Sequence, residues 1–192
     1  MQSSKLLFTS SRPVSWVNTA YPFAAGYIVM GGGADLRLLI GTLFFLIPYN
    51  LLMYGINDVF DYESDIRNPR KGGIEGGITP KKYHSLIIWS SILLALPFVI
   101  YLLAVGTVNS VLVLFSVLFF VAAYSVKGLR FKEKPFLDSV TSSVHFVGPL
   151  LFAYSLVGTT NEGLIAAVAF FLWGIASQAF GAVQDVLPDR EA

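Results

Sequence analysis

The sequence predicts an all-α polytopic membrane bundle of about six transmembrane helices. Three observations lead there. The 192 residues are 55% hydrophobic and only 13% charged, whereas a soluble domain carries about 25% charged residues. Six apolar stretches reach spanning length, at 14–31, 36–56, 85–105, 109–126, 137–157 and 163–183. The cationic residues also alternate from loop to loop, as they do when a chain is threaded back and forth across a bilayer.

The elements follow in order. Residues 1–13 carry Lys5 and Arg12 but no long apolar core ending in small residues, so no removable signal peptide is expected. Gly31-Gly32-Gly33 closes the first span, and Gly106 and Gly158 close two others as tight turns. Thr79-Pro80 is expected to supply the N-cap and first residue of the third helix. Pro22, Pro48, Pro97 and Pro149 fall inside apolar runs. Membrane helices tolerate such kinks when neighbours satisfy the freed carbonyls. Of the 13 Lys and Arg, 12 lie in the N-terminus, the 57–84 segment, the 127–136 segment and the tail; Arg37 alone falls on the other side. Those four segments are therefore assigned to the cytoplasm.

Net charge is +1, so no bulk attraction to nucleic acid is expected. There is no cysteine, which removes disulfides, thiolate catalysis and Cys-ligated metal.

Chemistry concentrates at the predicted cytoplasmic ends. Directly after the second apolar run come Asn57, Asp58, Asp61, Glu63 and Asp65. Asp58, Asp61 and Asp65, at i, i+3 and i+7, share one helical face. Acids at a helix end in the bilayer interface need water or a cation beside them. Three carboxylates on one stripe suit a hard divalent ion such as Mg²⁺, completed by phosphate oxygens. A second pair, Asp185 and Asp189, follows the sixth stretch at i, i+4. Two such stripes converging on a cavity would hold a diphosphate as a leaving group. Opposite in sign is the segment after the fourth stretch, with Tyr124, Lys127, Arg130, Lys132 and Lys134. Lys and Arg are natural phosphate ligands, although the segment also reads as an anchor at anionic headgroups. The glycine-rich 66–80 loop, with Arg67, Arg70 and Lys71, reads equally as a closing lid or a plain connector. Within the spans, Asn50, Ser177, Gln178 and Gly181 align with the aspartate faces, with interhelical packing the simpler reading. Asp138 and His145 share a face of the fifth helix, where Asp138 reads as a cap or a lysine partner.

In this pattern the chain resembles the UbiA family of intramembrane prenyltransferases. The match rests on N-D-x-x-D-x-x-x-D at 57–65, the Tyr124/Lys127/Arg130/Lys132 segment, and D-x-x-x-D at 185–189. The resemblance implies one membrane-embedded prenyltransferase domain over 1–192, and Mg²⁺-dependent transfer of an isoprenyl group from its diphosphate to a lipophilic acceptor. By the same carry-over Asp58, Asp61, Asp65, Asp185 and Asp189 would bind Mg²⁺–diphosphate. Asn57 would assist, and Lys127, Arg130 and Lys132, with Tyr124 beside them, would hold the phosphate. The 57–71 stretch and Lys134-Pro135-Phe136-Leu137-Asp138 resemble the bacterial lycopene elongase branch, which uses dimethylallyl diphosphate. Quinone, haem and chlorophyll prenylation are the alternatives within the family. Family members carry about three more helices beyond the second aspartate motif, so the fold is expected to be incomplete at the C-terminus.

Two other classes compete. An ion-coupled transporter would use the aspartates as an ion site, but such acids usually lie near the membrane midplane, and these lie at one face. A non-catalytic membrane subunit would leave them without chemistry. Acceptor, chain length, oligomeric state and partner subunits are not specified by the sequence.

Overall fold

The computed structural model describes residues 2–66 and 78–191, with side chains from residue 3 to Val183. Among the described residues every regular element is helical: α1 (Gln2–Ser10), α2 (Trp16–Val29), α3 (Leu36–Leu46), α4 (Pro48–Phe60), α5 (Tyr62–Asp65), α6 (His84–Ala104), α7 (Val108–Ser125), α8 (Leu137–Val157) and α9 (Asn161–Glu191). Five segments are long and apolar enough to cross a membrane: Leu36–Phe60, Lys81–Ala104, Val108–Ser125, Leu137–Val157 and Asn161–Val183. The first expected span is shorter than predicted. Its helix, α2, has 14 residues, roughly 21 Å at 1.5 Å per residue, and is preceded by the 3₁₀ turn Pro13–Ser15.

α8 sits at the centre, packed against α2, α7 and α9. Of its most apolar window 61% is buried, against 17% for α9, so α9 is the least buried of the described spans. The core between the layers is aromatic: Phe23, Tyr27, Phe44, Phe45, Tyr49 and Phe152 are fully buried. Phe23 stacks on Phe152 at 6.0 Å, and Phe45 meets Tyr49 edge-on at 5.1 Å. Gly41 permits this packing, because a Cβ there would strike the Phe23 ring.

The second span is broken in two. Pro48 supplies no N–H, and the chain turns at Ile47 (φ −118°, ψ −61°) before α4 begins. Asn50 repairs the break. Its Nδ2, with two protons to share, lies within hydrogen-bond distance of the carbonyls of Phe45 (2.8 Å) and Leu46 (3.1 Å) and of Thr19 Oγ1 (2.7 Å). Thr19 in turn donates to Phe45 O at 2.6 Å. Asn50 thus serves interhelical packing, not a cavity wall. Gly31 and Gly158 take φ of +92° and +99° at their turns, a region glycine enters without penalty.

The start of the third long span differs from expectation. Thr79 caps nothing: the 3₁₀ turn Lys81–Tyr83 comes first, with extended Pro80 (ψ 140°) before it. His84 holds this turn through Nε2 and Thr79 O, 2.9 Å apart. On the opposite face, Asp35 caps α3 by accepting from Leu38 N at 3.0 Å, and it pairs with Arg37 at 2.9 Å. The backbone bond holds its carboxyl down at about 2.

Candidate functional site

The second span ends in the predicted acids, and the fold buries them. Asn57 and Asp58 lie in the last turn of α4, Asp61 at the junction with α5, and Asp65 at the end of α5. Helical bonds run across the junction, from Asp61 N to Asn57 O and from Asp65 N to Asp61 O, so the expected common face survives. Asp58, Asp61 and Asp65 are 1%, 6% and 7% exposed. Carboxylates this buried require countercharge.

The countercharge comes from two directions. Lys132, on the 3₁₀ turn Phe131–Glu133, forms an ion pair with Asp61. Arg130 stands 3.7 Å from the same carboxylate, donates to Phe60 O at 3.4 Å, and holds Glu133 at 2.6 Å. Its guanidinium keeps the Glu133 carboxyl below the usual range. Asp58 is met from the N-terminus. Arg12, in left-handed backbone (φ 48°) after α1, donates from Nη2 to Asp58 Oδ1 at 3.1 Å. Its guanidinium lies 4.2 Å from the centre of the Tyr54 ring, one turn before Asp58. α1 packs along α4 to bring it there.

Arg12 is the site residue that sequence reasoning missed. It was counted only as a positive-inside charge. The available signal was a lone Arg just before the first apolar run, but nothing local revealed that α1 folds back onto α4.

The other predicted residues divide. Asn57 is brought in, its Oδ1 accepting from Ser125 Oγ at 3.0 Å. Lys127 is exposed and makes no ion pair among the described residues. Tyr124 directs its hydroxyl to Asp138, donating to Oδ1 at 2.9 Å. Asp138 is therefore neither a helix cap nor a lysine partner. Gln178 Nε2 donates to its other oxygen at 3.1 Å, and Ser142 donates to Gln178 Oε1 at 2.9 Å. His145 is buried edge-on to Tyr124, ring centres 5.2 Å apart. Asp185 and Asp189 lie on the backbone of α9, and their side chains fall outside the described residues. The basic loop with Arg67, Arg70 and Lys71 also lies outside them.

The donor set suits a hard cation: carboxylates in a chain without cysteine. Among the described residues no three acidic or histidine side chains converge as a ready metal cage.

A cavity of about 340 Å³ lies between α2, α8 and α9. Tyr21, Phe146 and Trp173 give it apolar walls, and Ser142, Ser177 and Gln178 give it a polar side. Gly174 lets α9 approach α8 closely, since a Cβ there would strike Ser143. Ser143 fastens the contact by donating to Phe171 O at 2.7 Å. Gly181 has open space where close packing was considered.

Known proteins resemble this chain in sequence and fold. The model of the UbiA prenyltransferase family matches residues 19–192. A C50 β-cyclic carotenoid biosynthesis protein from Dietzia sp. is 59% identical over 188 residues, which are 97% of this chain and 44% of that one. A lycopene elongase/hydratase from Corynebacterium glutamicum is 54% identical over 194 residues, covering all of this chain and 68% of the relative. The chain thus spans well under the full length of the relatives it matches. The structure of a UbiA homolog from Archaeoglobus fulgidus, bound to DMAPP and Mg²⁺, superposes with a TM-score of 0.76 at 19% identity, over 97% of this chain and 66% of that one. At that identity the likeness speaks to the fold. With its apolar spanning helices and its match to the family model over nearly its whole length, the chain is an integral membrane protein of the UbiA prenyltransferase family.

Proposed function

We propose that this chain transfers an isoprenyl group from an allylic diphosphate to a lipophilic acceptor, specifically from dimethylallyl diphosphate to lycopene, with Mg²⁺. The observation that carries it is the buried stripe of Asp58, Asp61 and Asp65 faced by Arg12, Arg130 and Lys132. The acceptor is drawn from the relatives above 50% identity, which are named for carotenoid biosynthesis and lycopene elongation. Residues 1–192 belong to one membrane-embedded domain. The excess of Lys and Arg on one side supports a cytoplasm-facing site in the cell membrane.

The residues divide the work. Asp58, Asp61 and Asp65, together with Asp185 and Asp189, would hold Mg²⁺. When bound, the ion neutralises the diphosphate and improves it as a leaving group. Arg12, Arg130 and Lys132 neutralise the carboxylates in the structure, and each can turn toward phosphate oxygens. Lys127, exposed and without an ion pair among the described residues, is available to the same anion. Asn57 is held by Ser125 beside Asp58. The carbon–oxygen bond breaks with both electrons leaving on diphosphate. An acceptor double bond then supplies the pair for the new carbon–carbon bond. The resulting cation ends by losing a proton to give an alkene, or by taking up water and releasing a proton to give an alcohol; the relatives' name includes hydratase. The cavity between α2, α8 and α9 has the volume and apolar lining of a small-molecule site, and is assigned to the acceptor chain.

Membranes containing the chain, given labelled dimethylallyl diphosphate and lycopene, should form a heavier labelled carotenoid with Mg²⁺ and none with EDTA. Label in a quinone or tetrapyrrole instead would replace the acceptor. No labelled lipid from correctly inserted protein would overturn the reading.

A further inference from the structure

We propose that Asp138 is a positioning residue, which holds the Tyr124 hydroxyl by accepting its proton into a hydrogen bond and so leaves Tyr124 with an electron-rich ring in place of a phosphate donor. The proposal deepens the reading above and rests on it for its kinetic part.

Three observations carry it. First, Asp138 lies in the first turn of α8, where an acid commonly serves the helix end. Here both its oxygens are occupied by side chains from other helices, Tyr124 of α7 at 2.9 Å and Gln178 of α9 at 3.1 Å. α8 is preceded by Phe136 at φ 65°, with no side-chain cap. Second, a phenol has one proton. While it points to Asp138, that proton is not offered to a phosphate oxygen. A carboxylate accepting that proton draws negative charge onto the phenol, and an electron-rich ring face attracts a cation. Third, the arrangement is fixed from behind. The Tyr124 ring is edge-on to buried His145, and Gln178 is held in turn by Ser142. The next residue on α7, Ser125, donates to Asn57 Oδ1 at 3.0 Å, so the end of α7 that bears Tyr124 is joined to the helix turn that bears Asp58. Gln178 and Asp185 are seven residues apart on α9, so the same carboxylate also fixes the register of the helix that bears the second aspartate motif.

The test uses Asp138→Asn, Tyr124→Phe and the double variant in membranes, with 3-fluorotyrosine placed at position 124 as a second probe. Asp138→Asn preserves shape and removes charge. It should lower kcat about tenfold or more, the scale of losing one preorganised electrostatic contact, with KM for the diphosphate unchanged. In the Tyr124→Phe background the same change should have less than about a twofold effect, because the two act as a unit. The fluorine resonance should shift on Asp138→Asn without any turnover. An unmoved resonance, or an equal kcat loss in both backgrounds, overturns the proposal. An inactive wild type whose resonance still shifts would sink the prenyl-transfer reading and leave the Asp138–Tyr124 assignment standing.

Discussion

Replacing Arg12 by Ala isolates the contact that joins the N-terminus to the acidic stripe. Arg12 is 17% exposed and Asp58 1%, with 3.1 Å between Nη2 and Oδ1. At an effective dielectric constant of 20 the attraction is about 5 kcal/mol, offset by the desolvation of both groups. Removing one partner leaves a buried carboxylate, and such changes destabilise by about 3–5 kcal/mol. Loss of the guanidinium over Tyr54 adds about 1 kcal/mol. Asp58 has further partners, so a net loss near the lower end, about 3 kcal/mol, is expected. For a chain of this size that is a fall in Tm of roughly 6–12 °C, read by thermal unfolding of the detergent-solubilised protein. Asp58→Asn removes the charge that Arg12 no longer faces, so the double variant should recover most of the loss. A shift under about 2 °C, or single and double variants that add to within about 0.5 kcal/mol, would refute the argument.

Other consequences are as specific. Asp61→Asn should abolish Mg²⁺-dependent transfer by at least about a hundredfold, while a folded, monodisperse protein remains by size-exclusion chromatography; unchanged turnover would remove the carboxylate from the mechanism. Gly174→Ala should destabilise by about 1–3 kcal/mol, because the new methyl meets Ser143 and forces α9 off α8; a Tm within 1 °C of wild type would show that the helices separate freely. Asp35 has a folded-state pKa of about 2, below its ordinary 3.8. A depressed carboxyl stabilises the fold above its ordinary pKa and loses that contribution as pH falls toward the folded value. The Tm of wild type should therefore decline between about pH 4 and pH 2 more steeply than that of Asp35→Asn, and parallel curves would exclude the linkage.

Much of this was legible in the sequence. Apolar length alone located the long spans, since a bilayer demands runs that few soluble helices contain. The acidic stripe was legible because i, i+3, i+7 spacing survives even across the α4–α5 junction. What escaped depends on contacts between distant segments. Pro48 was expected to kink a helix and instead begins a new one, because Asn50 and Thr19 satisfy the carbonyls that a continuous helix would have bonded. Tyr124 was grouped with the cations beside it in sequence, whereas its hydroxyl faces an aspartate 14 residues on. Arg12 meets a carboxylate 46 residues away, a separation no local pattern encodes.

That separation has a consequence during synthesis. Arg12 leaves the ribosome long before Asp58. By the time the broken second span enters the membrane, its most buried acid meets a cation already waiting at the interface. A carboxylate packed into the bundle at this helix end is costlier to bury when less countercharge faces it. The order of residues along the chain thus places the counterion ahead of the charge it must neutralise, and an N-terminus shortened past Arg12 should impair insertion of the helices that follow as well as the finished site.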